Sequence, residues 1–291
     1  LNVVAPLQVA IMETLRQRST AERLAAMAGL VAATAAFLGF IPGVYRDPGA
    51  LVVQSNGQDL ATLVVGVPVL GFGLWASARG SLRGRLVALG ALAYLLYTYT
   101  VYAFVSVLGP LTALDIAVVG LAGWSLALAS GALPDSEVET AVGPHLHRRA
   151  TGFFLLAIAT LFGLLWLSQI ASAAMTGVLP QALIDAGWPT NPIYVLDLAF
   201  LLPLCALTGV RLLTHRPGAA RLAVPLLVFA PLLSLGVLSI SAFAAADGQP
   251  LEVVQAAIFV VTTVVGAALA FTALVPRTRH SASSSPDGVA A

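Results

Sequence analysis

The sequence predicts an all-α polytopic membrane protein. It reads as about eight transmembrane helices, arranged as two parallel four-helix repeats with both termini cytoplasmic. Three observations predict this. Of 291 residues, 59% are hydrophobic and only 9% charged, with a mean hydropathy of +0.94. Soluble domains carry roughly a quarter charged residues, so most of this surface must face lipid. Eight apolar runs approach or exceed the ~20 residues that a helix needs to cross the hydrocarbon. The arginines between those runs alternate as a multi-pass topology requires.

The chain opens on a segment, 1–18, in which Leu7, Ile11 and Leu15 keep helical spacing, as an interfacial helix does. Ser19 and Glu22 have capping-box spacing, which predicts a helix start just before the first apolar run. The runs fall at 24–43, 60–78, 86–108, 111–132, 150–175, 191–213, 219–244 and 251–275. The first is too long for a signal-peptide core and no A-x-A site follows it, so it reads as a retained span. The fifth is the hardest to delimit. It reads as one long span followed by an apolar loop segment near 178–184. The organisation expected is an N-terminal interfacial segment 1–18, a first repeat 19–133, a cytoplasmic linker 134–149, a second repeat 150–276 and a disordered tail 277–291. That tail is rich in serine and alanine.

All 14 basic residues are arginine. Without lysine there is no retinal or pyridoxal Schiff base and no P-loop. Arg16, Arg18 and Arg23 precede the first span. Arg79, Arg83 and Arg85 separate the second and third. Arg148 and Arg149 precede the fifth, Arg211, Arg216 and Arg221 flank the sixth-to-seventh connection, and Arg277 and Arg279 follow the eighth. Only Arg46 falls on the other side. The basic side is cytoplasmic by the positive-inside rule, which places the chain in an inner (plasma) membrane. A net charge of +1 leaves no nucleic-acid footprint. The single Cys205 can form neither an intrachain disulfide nor a CxxC pair.

The clearest internal pattern is a duplication. Asp59-Leu60-Ala61 matches Asp197-Leu198-Ala199, and Arg85-Leu86 matches Arg221-Leu222. Ala103-Phe104 matches Ala242-Phe243, and Pro110-Leu111 matches Pro250-Leu251. The offsets stay between 136 and 140 positions. Pro68 and Pro203 follow the two aspartates in matching spans. Four spans per copy give a parallel repeat about an axis along the membrane normal.

Scarcity of charge makes the intramembrane acids conspicuous. Asp59, Asp115 and Asp197 all belong to the outer half, with Gln255 as the repeat partner of Asp115. A carboxylate at the bilayer centre costs about 2.5–3.5 kcal/mol on insertion scales, so it tends to face a cavity or a partner. Tyr94, Tyr97, Tyr99 and Tyr102 lie at the same level and could supply hydroxyls, or form an interfacial aromatic belt. The outer loops add Tyr45, Arg46, Asp47, Asn56 and Gln58. The site reading is an outward-facing acidic pocket of Asp59, Asp115, Asp197, Gln255, Tyr97 and Arg46, taking a cation, a proton or a small polar ligand. The competing reading makes the aspartates caps at interfacial helix starts. No histidine lies in a span, and His145-x-His147 alone supplies too few ligands for a metal, so no cofactor and no metal is expected.

The stretches Gly57-Gln58-Asp59-Leu60-Ala61-Thr62-Leu63, Arg79-Gly80-Ser81-Leu82-Arg83-Gly84-Arg85 and Ala93-Tyr94-Leu95-Leu96-Tyr97-Thr98-Tyr99 resemble a bacterial family of uncharacterised multi-pass membrane proteins. Asn191-Pro192 through Asp197-Leu198 extends the resemblance to the second half. The resemblance implies the fold and no activity. Three functions fit the sequence: a transporter-like or ligand-binding protein, a structural, sensory or accessory membrane protein, and an intramembrane enzyme acting on a lipid. Whether it is an enzyme stays open at this point.

Overall fold

The computed structural model describes residues 4–275, with side chains from residue 16 onward. The tail expected to be disordered lies outside the described residues. Within them the chain is all-α, and eight helices are long and apolar enough to cross a membrane. These spans are Arg16–Gly39, Gly49–Ala78, Leu82–Val105, Thr112–Gly131, Arg148–Thr176, Pro192–Leu213, Ala219–Ala246 and Val253–Leu274.

Several boundaries differ from the sequence reading. The first helix runs unbroken from Val4 to Gly39. Ser19 does not start it; its hydroxyl returns to the Arg16 carbonyl at 2.9 Å, inside the helix. The residues just before Ser19 include good helix formers and no glycine or proline, so helix propagates through the capping signal. Span two begins at Gly49, well before the apolar run at 60–78. Asn56 and Gln58 are therefore helical rather than loop residues. Their polarity resembles a loop, yet Gln58 finds its partners inside the bundle. The linker is not merely solvated: Asp135–Val142 is a helix that buries Val138 and Val142 completely. After span five, Gln181–Ala186 forms a short helix.

Spans two and six share an irregularity. Span two widens into a π-helix over Thr62–Gly66, and span six does so over Asp197–Leu201. In each case the helix resumes with proline as its second residue, Pro68 or Pro203. Proline offers no N–H, and its ring collides with the carbonyl four residues back. Those carbonyls belong to Val64 and Ala199, which sit within the π turns. The wider turn relieves the collision without breaking the helix.

Spans three and seven are the most buried of the eight and form the centre of the bundle. Between lipid-immersed helices the hydrophobic effect supplies little attraction, so close approach through small residues holds them together. Glycines occupy these contacts. A Cβ on Gly90 of span three would lie 2.6 Å from the Pro225 carbonyl oxygen of span seven. One on Gly73 would lie 2.7 Å from the Ala88 nitrogen, where spans two and three touch. Gly152 and Gly209 face each other across spans five and six. Large apolar side chains such as Phe37, Trp124, Phe200 and Phe271 are exposed, which fits a perimeter against lipid.

Three arginines tie the linker helix to the spans beside it. Arg221 pairs with Asp135 at 2.9 Å and donates to the Leu133 carbonyl at 3.1 Å. Arg148 pairs with Glu139, and Arg83 donates to the Ala141 carbonyl at 2.7 Å. The linker helix is thereby clamped across the ends of spans three, five and seven.

Candidate functional site: two buried carboxylate clusters

The first cluster forms where span two meets the loop after span one. Asp59 is 1% exposed. Tyr45 donates its hydroxyl to Asp59 Oδ2 at 2.7 Å. Tyr102, from span three, donates to Asp59 Oδ1 at 3.3 Å and to the Ser55 carbonyl at 3.0 Å. Burial, reinforced by the Asp59 carboxylate, holds the Tyr45 hydroxyl above its ordinary pKa, so it remains a donor. Gly39, the last residue of span one, closes the site. A Cβ there would overlap Asp59 Oδ2 and lie 2.9 Å from Tyr45 Cε2. Gly39→Ala is expected to push the Asp59–Tyr45 pair apart and to cost about 1–3 kcal/mol. Thermal unfolding in detergent reads this; an unchanged melting profile would mean that the pair is looser than described.

A further buried carboxylate, Asp115, belongs to span four, and no hydrogen bond among the described residues ties it to this cluster. It is 3% exposed and is the fourth residue of its helix. No donor hydrogen-bonds to its carboxylate among the described residues. The Tyr99 hydroxyl is committed to the Ala32 carbonyl at 2.7 Å.

The second cluster belongs to Asp197, which is 6% exposed and opens the π turn of span six. Tyr97 of span three donates to Oδ1 at 2.8 Å, and Trp166 Nε1 of span five donates to Oδ2 at 2.7 Å. Both oxygens are thus engaged, and three spans are joined at one carboxylate. Tyr97 also meets Phe229 of span seven edge-on, with centroids 5.8 Å apart. Trp166 lies against Tyr194, whose hydroxyl donates to Gln169 Oε1 at 2.6 Å.

A third set of polar groups lies beside Asp59. Gln58 Nε2 donates to the Tyr94 hydroxyl at 2.8 Å, and that hydroxyl also bonds Thr62 at 3.0 Å. The Gln58 side chain packs against Gly236 of span seven. One residue earlier, Ser239 donates to the Gly57 carbonyl at 2.6 Å.

The six residues singled out from sequence thus divide. Tyr97 and Asp197 are bonded to each other, Asp59 holds a separate cluster with Tyr45 and Tyr102, and Asp115 is buried without a hydrogen bond to either among the described residues. Arg46 and Gln255 are exposed and bond to neither. Neither Asp59 nor Asp197 caps a helix start, because ten helical residues precede Asp59 and five precede Asp197. Sequence reasoning gave no role to Trp166, whose partner lies 31 residues away with no visible register. Tyr102 carried a signal, its i,i+3 spacing from Tyr99, but nothing tied it to Asp59.

The clusters are also alike in what they lack. Among the described residues, ion pairs join Arg18 to Glu22, Arg148 to Glu139 and Arg221 to Asp135, all at the arginine-rich end. No described arginine forms an ion pair with Asp59, Asp115 or Asp197. No group of three or more His, Cys, Asp or Glu side chains suited to a metal occurs among the described residues. The chain is a polytopic membrane protein in its architecture. No family model, curated protein or solved structure matches it.

Proposed function

We propose that this protein takes up a proton or a small monovalent cation at its buried carboxylates Asp59 and Asp115, as a transporter-like or ligand-binding membrane protein. One observation carries the reading. Asp59 and Asp115 are both buried, at 1% and 3% exposure, and among the described residues no arginine pairs with either and no donor bonds to the Asp115 carboxylate. Carboxylate charges in so poorly solvated a place do not persist without a positive charge beside or upon them. Phenol oxygens from Tyr45 and Tyr102 and the Ser55 carbonyl supply further hard oxygen ligands around Asp59. Asp197 serves differently. With both oxygens bonded it positions spans three, five and six, a feature that also favours the alternative of an accessory protein without transport.

In this reading the cluster faces the side away from the arginines, which is the outer side if the positive-inside rule sets the topology. The parallel duplication belongs to the same proposal. Its strongest support is the pair of π turns, each followed by proline at the same step. Thr62 and Asp197, and likewise Pro68 and Pro203, stand 135 positions apart. In that register Asp197 corresponds to Thr62, one turn beyond Asp59. The contacts between halves agree: span two meets span seven through Gly57 and Ser239, and span six meets span three through Asp197 and Tyr97.

Proteoliposomes loaded with a pH-sensitive or alkali-cation-sensitive dye test the proposal. A gradient of protons, sodium or potassium is expected to drive protein-dependent uptake that Asp115→Asn abolishes and Asp197→Asn retains. Equal flux in wild type and Asp115→Asn, or none under any of the three gradients, overturns it.

A further inference from the structure

A second polar site lies at the opposite end of the first four spans, within the arginine-rich end. A cavity of about 40 Å³ opens between spans one, two, three and four. That is room for roughly three water molecules at 10–15 Å³ each, or for one tetrahedral oxyanion. Its deep wall is apolar, with Ala25, Leu74 and Leu92. Its polar lining is Arg18, Glu22, Ser77, Arg85 and Ser125.

Most of these polar groups are already committed to one another. Glu22 Oε1 accepts from Ser77 Oγ at 2.6 Å and from Arg18 Nε at 3.3 Å. Arg18 Nη2 donates to the Ser77 carbonyl at 3.0 Å, and Ser125 Oγ to the Ala21 carbonyl at 2.7 Å. Arg85 is the exception. Its Nε is buried without an acceptor, and no ion pair among the described residues includes it. Two arginines against the one Glu22 leave the lining with a formal charge of +1. A guanidinium Nε–H buried without an acceptor is costly, and the planar fork of the group matches an oxyanion. Arg85 lies in the first turn of span three, so the cavity stands where that span enters the bilayer. The first turn of a span is expected at the interfacial level, where lipid phosphates lie.

We propose that this cavity is an anion site for a phosphate group, with Arg85 as its principal ligand and Arg18 beside it. The phosphate comes from free inorganic phosphate or from an anionic lipid headgroup, and the chemistry of recognition is the same. The full-length protein is purified in detergent and titrated with inorganic phosphate while its thermal midpoint is followed. In parallel it is placed in nanodiscs of phosphatidylglycerol or of phosphatidylcholine, and bound lipid is counted by native mass spectrometry. Arg85→Gln is compared with Arg149→Gln, which removes the same charge from an exposed position at the same end. Arg85→Lys keeps the charge and loses the fork, so a folded variant with intermediate binding is expected even if Arg85→Gln is unstable.

Binding is expected to weaken about tenfold in Arg85→Gln and to persist in Arg149→Gln. Stabilisation by inorganic phosphate assigns the site to the free ion. Retention of phosphatidylglycerol without a phosphate response assigns it to a headgroup. No response in either arm, or equal loss in Arg149→Gln, overturns the proposal.

Discussion

Gly57→Ala is expected to separate spans two and seven, although alanine is the better helix former. Alanine in a helix interior gains up to about 1 kcal/mol over glycine. Here the new methyl would stand 2.7 Å from the Ser239 carbonyl oxygen and 2.8 Å from Ile240 Cα. Both atoms are backbone, so no side chain can swing aside, and a whole helix has to move. Movement would stretch the 2.6 Å bond from Ser239 to the Gly57 carbonyl and would loosen Gln58 against Gly236. Overpacking of this kind costs about 1–3 kcal/mol, which exceeds the propensity gain. Chemical unfolding in detergent should show net destabilisation. Gly120→Ala is the matched comparison: nothing lies within 4 Å of the added methyl, so the propensity gain should appear alone. Equal stabilisation of both variants would mean that spans two and seven are not in contact at Gly57.

Asp197→Ala is expected to be as damaging by a different route. The carboxylate is the acceptor for two donors, Tyr97 Oη and Trp166 Nε1, and both lose it at once. Single hydrogen bonds between membrane helices average only about 0.6 kcal/mol, because the unfolded chain finds other partners in the bilayer. This acceptor is charged when ionised and serves two donors, and stranding a buried donor costs about 1–3 kcal/mol. The expected loss is therefore at the upper end of what a polar deletion in a membrane protein produces. Asp197→Asn should be much milder. Its amide oxygen can still accept from Trp166, and its N–H can donate to the Tyr97 oxygen. A double-mutant cycle with Tyr97→Phe and Trp166→Phe measures the coupling. Strict additivity would show that the three side chains do not act as a unit.

The two effects differ in how far sequence alone foretold them. Asp197 was conspicuous because an acid in an apolar run is rare, and its depth followed from counting residues to Arg211. Its partners were not legible. Tyr97 was one of four tyrosines in span three, and helical spacing alone cannot say which of them faces span six. Trp166 looked like any aromatic residue in a lipid-facing helix. Gly57 read as part of a polar loop, because glycine, glutamine and asparagine before an apolar run look the same whether they face water or a neighbouring helix.

Composition and charge alternation determined the class of protein, the number of spans and the end at which the arginines lie. They could do so because crossing a bilayer is a one-dimensional constraint: each span must be long and apolar enough on its own, and each arginine must stay near a surface. The tertiary structure decided which polar side chains meet. It gave Asp59 to Tyr45 and Tyr102, gave Asp197 to Tyr97 and Trp166, and left the Arg85 Nε without an acceptor beside a cavity. Those choices depend on how helices rotate and approach one another. That is set by glycine contacts between residues as far apart as Gly57 and Ile240, and by the π turns that shift the face of spans two and six. Neither is visible in a hydropathy pattern, because lipid rewards every apolar face alike and leaves packing to choose among them.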